Sequence, residues 1–164
     1  MPEIIPAGLS SVNASDLATP LAEAASETFE SLAYFFAEPG VADEIPADGV
    51  DGIVGVAFSG PAHGGVVLQL SGGVLGSLAA NMLGLEEAIS AGDQRDALGE
   101  TANVICGNVL PRIAGPAAVF ALGVPQQYRT WDDAVEVLGA VTARVRLEVE
   151  GGRADVGLVM LPAL

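Results

Sequence analysis

Val141-Thr142-Ala143-Arg144-Val145-Arg146-Leu147-Glu148-Val149-Glu150-Gly151-Gly152-Arg153-Ala154-Asp155-Val156-Gly157-Leu158-Val159-Met160 is the stretch that decides the fold class. Val141, Ala143, Val145, Leu147 and Val149 alternate with Thr142, Arg144, Arg146 and Glu148, and Ala154, Val156, Leu158 and Met160 continue the apolar set. Successive side chains of a strand point to opposite faces, so this period of two reads as an antiparallel hairpin with one face buried. The turn is expected at Gly151-Gly152, which sets Glu150 opposite Arg153 as a favourable pair. Glu148 then faces Asp155, a mild repulsion that Arg146 and Arg153 offset diagonally. Val159 and Leu161 fall on the otherwise polar face.

Upstream, residues 53–58 and 66–70 are two further apolar runs flanking Ser59-Gly60-Pro61-Ala62-His63-Gly64-Gly65. They read as two strands joined by a loop longer than a tight turn, with His63 a solvated residue of that loop. Three helices are expected. The first covers residues 19–37, with Thr19 as N-cap, Pro20 at the first helical position and Glu23 near the positive end of the dipole. Leu21, Ala25, Phe29, Leu32 and Phe36 mark its buried face, and Pro39-Gly40 ends it. Ser71 caps a second helix over 72–83, closed by Gly84. After a polar linker over 86–92, a third helix starts at Asp93 and runs to Leu110, where Pro111 discourages continuation. Residues 1–18 are expected to be a loosely ordered lead-in and 19–164 a single domain. The fold class is α+β: an antiparallel sheet built from hairpins, packed with about three helices.

Composition removes several function classes. The 164 residues suit one domain, and 51% hydrophobic content with only 16% charged residues builds a real core. The net charge of −15 comes from 21 acidic residues against six arginines and no lysine. Such a chain repels phosphate backbones and anionic headgroups, so neither nucleic acid nor a membrane is an expected partner. Cys106 and His63 are single representatives of their types, which leaves no disulfide framework and no Cys/His metal site; no bound metal is expected. Cys106 is expected to be a small buried apolar residue. No signal-peptide pattern opens the chain and no apolar run approaches the ~20 residues of a membrane span, so a soluble, cytoplasmic protein is expected. Gly72-Gly73-Val74-Leu75-Gly76 lacks the lysine of a phosphate loop. Trp131, with Asp132 and Asp133 after it, is expected to cover the edge of the core.

The chemistry-bearing segment is Asp93-Gln94-Arg95-Asp96-Ala97-Leu98-Gly99-Glu100-Thr101-Ala102-Asn103-Val104-Ile105-Cys106-Gly107-Asn108. On a helix, Leu98, Ala102, Ile105 and Val109 share the core face. Asp96, Glu100, Asn103 and Gly107 share another, placing a carboxylate beside a carboxamide on exposed surface. Gly99 and Gly107 leave room there for another molecule's backbone. A plainer account makes Asp93 the N-cap, Asp96 its first-turn acid, and Glu100 and Asn103 ordinary surface residues. Two costs weigh against it: Asp96 and Glu100 repel at i,i+4 by roughly 0.2–0.5 kcal/mol. Glycine inside a helix costs up to ~1 kcal/mol per residue relative to alanine.

Asp96, three residues, Glu100, two residues, Asn103, then residues 104–124 and Pro125 resemble the motif of the CheC/CheX/FliY phosphatases of bacterial chemotaxis, and the single later-helix motif is most similar to the CheX branch. Double-motif members carry a second Glu–Asn pair on an earlier helix; here that stretch offers Ser26 and Glu30 but Ala33 in place of Asn. The resemblance implies a hydrolase for the aspartyl phosphate of a CheY-like receiver domain. Asn103 would place the attacking water and Glu100 would pair with the receiver's lysine. Asp96 and Pro125 would be structural, with Mg2+ on the receiver and no cofactor on this chain. It also implies a homodimer paired through the sheet, which Val159 and Leu161 support as apolar neighbours of an exposed strand edge. The alternative is a non-catalytic receiver-binding module of the same fold; a structural assembly protein is a third reading that leaves the helix glycines unexplained.

Overall fold

The computed structural model describes residues 14–40, 49–86 and 89–162. Of the lead-in expected over residues 1–18, residues 1–13 lie outside them and residues 14–18 belong to the first helix. Chain order is α1 (Ala14–Ala33), β1 (Ala37–Pro39), β2 (Val50–Ser59), β3 (Ala62–Ser71), α2 (Val74–Leu83), α3 (Ala91–Ala114), β4 (Ala121–Leu122), β5 (Gln126–Tyr128), α4 (Trp131–Leu138), β6 (Ala143–Val149) and β7 (Gly152–Pro162). The described strands form one antiparallel sheet in the order β1-β6-β7-β3-β2-β4, with β5 also paired to β2. This is the expected α+β class.

The sheet is covered on both sides. Leu21 and Phe29 of α1, Leu78 of α2 and Leu98 and Ile105 of α3 pack on Val54, Val66, Leu68, Val156 and Leu158 to make the main core. On the opposite face Ala134, Trp131 and Leu138 of α4 pack on Ile53, Val67 and Tyr128. The fourth helix was not among the expected three. Its signal is brief: Thr130 accepts from the Asp133 N–H at 3.0 Å and starts a helix of eight residues. Trp131 lies over Gly157, and the Arg144 guanidinium carbon stands 4.2 Å from the indole centroid.

Helix ends differ from expectation for local reasons. α1 starts at Ala14, because Leu17, 1% exposed, extends the apolar face by a turn; Thr19 and Pro20 are therefore interior. It ends at Ala33, where Tyr34 adopts a left-handed φ of 59°. That rotation buries Phe35 and turns Phe36 outward, 75% exposed. The chain then pairs Ala37–Pro39 against β6 at the sheet edge, where proline is tolerated. Ser71 does not cap α2; it closes β3, and the Asp51 carboxylate accepts from the N–H groups of Gly73 at 2.9 Å and Leu75 at 3.1 Å. Ser90, rather than Asp93, caps α3 by accepting from the Asp93 N–H at 3.1 Å. α3 also continues through Pro111 to Ala114, although proline offers no N–H to the Gly107 carbonyl.

The hairpin forms with its turn one residue earlier. Glu150 and Gly151 take φ of 48° and 79°, the pair of positive values that a two-residue type I′ loop requires. Gly152 belongs to β7 because a Cβ there would lie 2.5 Å from the Ser71 carbonyl oxygen. Glu148 consequently faces Arg153, and Arg146 faces Asp155, so the expected repulsion does not arise. Asp155 is fully buried and accepts from Arg146 Nε at 3.0 Å and Arg153 Nε at 2.9 Å, with Arg144 Nη2 at 3.3 Å. The β2–β3 connection is the two residues Gly60-Pro61, so His63 lies half-buried in β3 opposite Leu161, not in a loop. The glycines that read as turn residues instead permit close strand approach: a Cβ on Gly64 would sit 1.9 Å from the Val159 carbonyl oxygen. Val159 itself is fully buried beside Gly139 and is no exposed apolar neighbour of an edge.

Candidate functional site: the exposed stripe of α3

α3 is a partly buried helix that presents one stripe outward. Leu98, Ala102, Ile105 and Val109 are buried as their spacing requires, and Ala97, Thr101, Cys106 and Leu110 join them. Thr101 satisfies its buried hydroxyl by donating to the Ala97 carbonyl at 2.7 Å. Asp96, Glu100 and Gly107 are exposed and Asn103 is half-buried. The side chains of Asp96, Glu100 and Asn103 make no hydrogen bond or ion pair to any described residue. Because Ser90 and Asp93 already start the helix, Asp96 is not needed as its cap.

The chain after α3 builds the rest of the site. Gly115 closes the helix through its N–H to the Pro111 carbonyl at 3.0 Å. Residues 115–125 then run back alongside α3. Phe120 packs edge-on against Phe58, with centroids 5.6 Å apart, and Leu122 pairs with Phe58 in the sheet. Gly123 donates to the Ala57 carbonyl at 2.8 Å, and Gln126 pairs with Gly55. Pro125, which has no N–H to offer, lies between these two paired stretches. Its ring rests on Gly99, where an added Cβ would come within 3.1 Å of Pro125 Cβ. Gly99, expected on open docking surface, is thus buried as the seat of Pro125. Gly107 stays open, with nothing within 4 Å of an added Cβ.

Asp96, Gly99, Glu100 and Pro125 line one groove of about 340 Å3, together with Arg95, Val124 and Gln127. Gln127 Nε2 donates to the Arg95 carbonyl at 3.2 Å and ties the two walls. Gly107 lines a second groove of about 180 Å3 with Leu110, Pro111, Ala118, Phe120 and Leu122. Asn103 stands between Glu100 and Gly107 on the stripe. Val124 and Gln127 carried no signal in the sequence, since only the return of the chain along α3 makes them neighbours of Glu100; Arg95 lies on α3 itself.

The corresponding stretch of α1 is built differently. Glu30 is exposed and Ser26 half-buried, but Ala33 is fully buried and its carbonyl accepts from Asn81 Nδ2 at 2.8 Å. Burial pushes the Cys106 thiol up to about 12, which makes it a poor nucleophile. Among the described residues no group of three or more His, Cys, Asp and Glu side chains could hold a metal ion, and no helix is long and apolar enough to cross a membrane.

A chemotaxis protein of Desulfovibrio vulgaris Hildenborough superposes with a TM-score of 0.67 at 19% identity, covering 92% of this chain and 99% of that one. The CheX protein of Vibrio vulnificus superposes at 0.64 with 15% identity, covering 92% and 99%. The CheX of Borrelia burgdorferi, solved as a CheX–CheY–BeF3–Mg2+ complex, superposes at 0.60 with 15% identity, covering 87% and 96%. No curated protein matches the sequence. Identities this low establish the shared fold; the sequence itself, over residues 52–145, matches the model of the chemotaxis phosphatase CheX, and the chain belongs to that family.

Proposed function

We propose that this protein hydrolyses the aspartyl phosphate of a CheY-like receiver domain, using the Glu100–Asn103 stripe of α3. The observation that carries the reading is the pair itself: a carboxylate and a carboxamide one turn apart, outward-facing and without partners among the described residues. Family membership and the likeness to a CheX solved with CheY support it.

The chemistry asks little of such a site. An acyl phosphate is labile, and a receiver holds its own Mg2+ on the phosphoryl oxygens, so the partner's main task is to place one water in line with phosphorus. The Asn103 carboxamide suits this task. Its oxygen accepts a water proton, its NH2 donates, and it brings no charge to an anionic centre. Water oxygen bonds to phosphorus as the bond to the aspartyl oxygen breaks, releasing inorganic phosphate and a free carboxylate. Glu100, one turn earlier, forms a charge-assisted hydrogen bond to the receiver's lysine and sets the docking register. Pro125 on Gly99 fixes the groove wall that faces Glu100.

A cytoplasmic site of action and a two-fold dimer paired through the sheet belong to the same reading. The dimer now rests on the edge strand β1 and on Leu161, since Val159 is buried within its own chain. Light scattering at micromolar concentration checks it, with the mass of one chain as the contrary result. The function itself is tested by phosphate release from a panel of phosphorylated receivers in Mg2+, with and without the protein. Acceleration on at least one receiver is expected. Tight binding without acceleration would leave a docking module instead.

A further inference from the structure

Residues 115–125 read Gly-Pro-Ala-Ala-Val-Phe-Ala-Leu-Gly-Val-Pro, eleven positions without one polar side chain in a chain of net charge −15. Phe120 turns inward onto Phe58. Val119 and Val124 are 82% and 76% exposed, and Leu122 is 37% exposed. Scattered exposed valines need no explanation, but a continuous apolar strap does. This one walls both grooves beside the stripe: Val124 faces Glu100 in one, and Leu122 faces Gly107 in the other. It is also held in place from three sides, by the Phe120–Phe58 contact, the Gly123 hydrogen bond to β2 and the seat of Pro125 on Gly99.

We propose that the strap over residues 115–125 is the second wall of the receiver-binding surface, on which Val119, Leu122 and Val124 seat an apolar patch of the receiver next to the basic group that Glu100 engages. The inference rests on the proposed function and adds to it a specificity surface outside the motif. Two arguments select the occupant. The strap is continuous with the grooves around Glu100, so a partner reaching Glu100 and Asn103 meets Val124 and Leu122 in the same encounter. A second copy of this chain would instead bring Asp96 and Glu100 of each protomer toward one another across the grooves, a like-charge approach that a lysine-bearing receiver avoids.

The test is a steady-state comparison of wild type, V119S/V124S and V119I/V124I on the receiver that the phosphate-release panel identifies as turned over fastest. Both valines are exposed, so thermal melting of the variants should match wild type. Polar replacement is expected to lower kcat/KM about tenfold through KM, while the isoleucine pair stays within about twofold. N103A provides the opposite split, with turnover lost and binding kept. An unchanged KM in V119S/V124S overturns the inference while leaving the phosphatase reading intact. A fall in apparent mass of that variant with unchanged KM also overturns it, since the strap would then be a contact between copies. Absence of turnover by wild type across the whole panel overturns both.

Discussion

α1 and α3 lie side by side on the same face of the sheet, yet only α3 carries an outward-facing carboxylate–carboxamide stripe with a groove along it. α1 contains no glycine over Ala14–Ala33, whereas α3 carries Gly92, Gly99 and Gly107. Two acids of α1 are tied into the structure, Arg112 of α3 pairing with Glu23 at 3.4 Å and with Glu27, while the Glu30 side chain is exposed and, like that of Glu100, has no partner among the described residues. Buried Thr28 accepts from Asn108 Nδ2 at 3.0 Å and donates to the Ala24 carbonyl at 2.7 Å. On α3 the stripe acids have no such ties, and the chain that follows the helix builds grooves around them. The lesson is that a motif of three residues is not enough by itself. Ser26, Glu30 and Ala33 lack the amide that Asn103 carries on α3, and position 33 is sealed under the end of α2 as well.

The sharpest way to break this contrast is at Asn103. N103A is expected to abolish accelerated dephosphorylation, a loss of about 100-fold or more, because nothing else on the stripe can orient the water without adding charge. Stability should stay within about 0.5 kcal/mol, since the amide has no partner among the described residues to lose. Phosphate release and a denaturant titration on the same preparation read both quantities. Retained turnover would end the mechanism. Next in size is E100Q, which keeps shape and removes charge. A charge-assisted hydrogen bond worth about 1.5–3 kcal/mol predicts a KM raised roughly 10- to 100-fold. The matching change on α1, E30Q, should leave KM unmoved.

The sequence made the contrast readable only in part. The α3 stripe was legible because helical spacing is local: residues three and four apart share a face whatever surrounds them. The β6–β7 hairpin was legible for the same reason, through its period of two. Its register was not, because the choice of Glu150-Gly151 as the loop depends on Gly152 passing against the Ser71 carbonyl, a contact between strands 81 positions apart in sequence. The strap and α4 left almost no periodic trace. Pro125 could be placed only as a spacing in a family pattern, and its seat on Gly99 is a tertiary fact that no local rule contains. Nor does period two reveal that the polar face of the hairpin is covered, Asp155 being buried by its neighbouring arginines and Val159 by the turn after α4.

The contrast can also be sharpened by trying to repair α1. A33N restores the missing residue type, and on composition alone it should create a second site. The structure predicts otherwise. Ala33 is fully buried, so an amide there must either go unsatisfied or push α2 away from the Asn81–Ala33 hydrogen bond. A loss of about 1–3 kcal/mol in stability is expected, read by denaturant midpoint, with no gain in turnover and one receiver bound per chain as before. A second receiver on the chain would mean that α1 can open and that the two helices are closer to equivalent than their packing implies.

The smallest expected effect, and the one that separates folding from function most cleanly, is at Gly107. An added methyl meets nothing within 4 Å, and the residue is exposed in the interior of α3. Judged as a helix position alone, G107A should stabilise the protein by up to ~1 kcal/mol, because alanine loses less backbone entropy there than glycine. For a domain of this size that is a rise in Tm of about 2–4 °C. Judged as part of the docking face, the same methyl projects toward whatever covers the stripe and should raise KM for the receiver by a few-fold without changing turnover at saturation. A helix shaped only by stability would carry alanine at this position, as α1 does at Ala24 and Ala25 on its buried face. Stability should therefore rise in this variant while affinity for the receiver falls, so that Tm and KM both increase. If Tm rises while KM stays unchanged, the receiver does not reach this turn of α3, and the docking surface ends between Asn103 and Gly107.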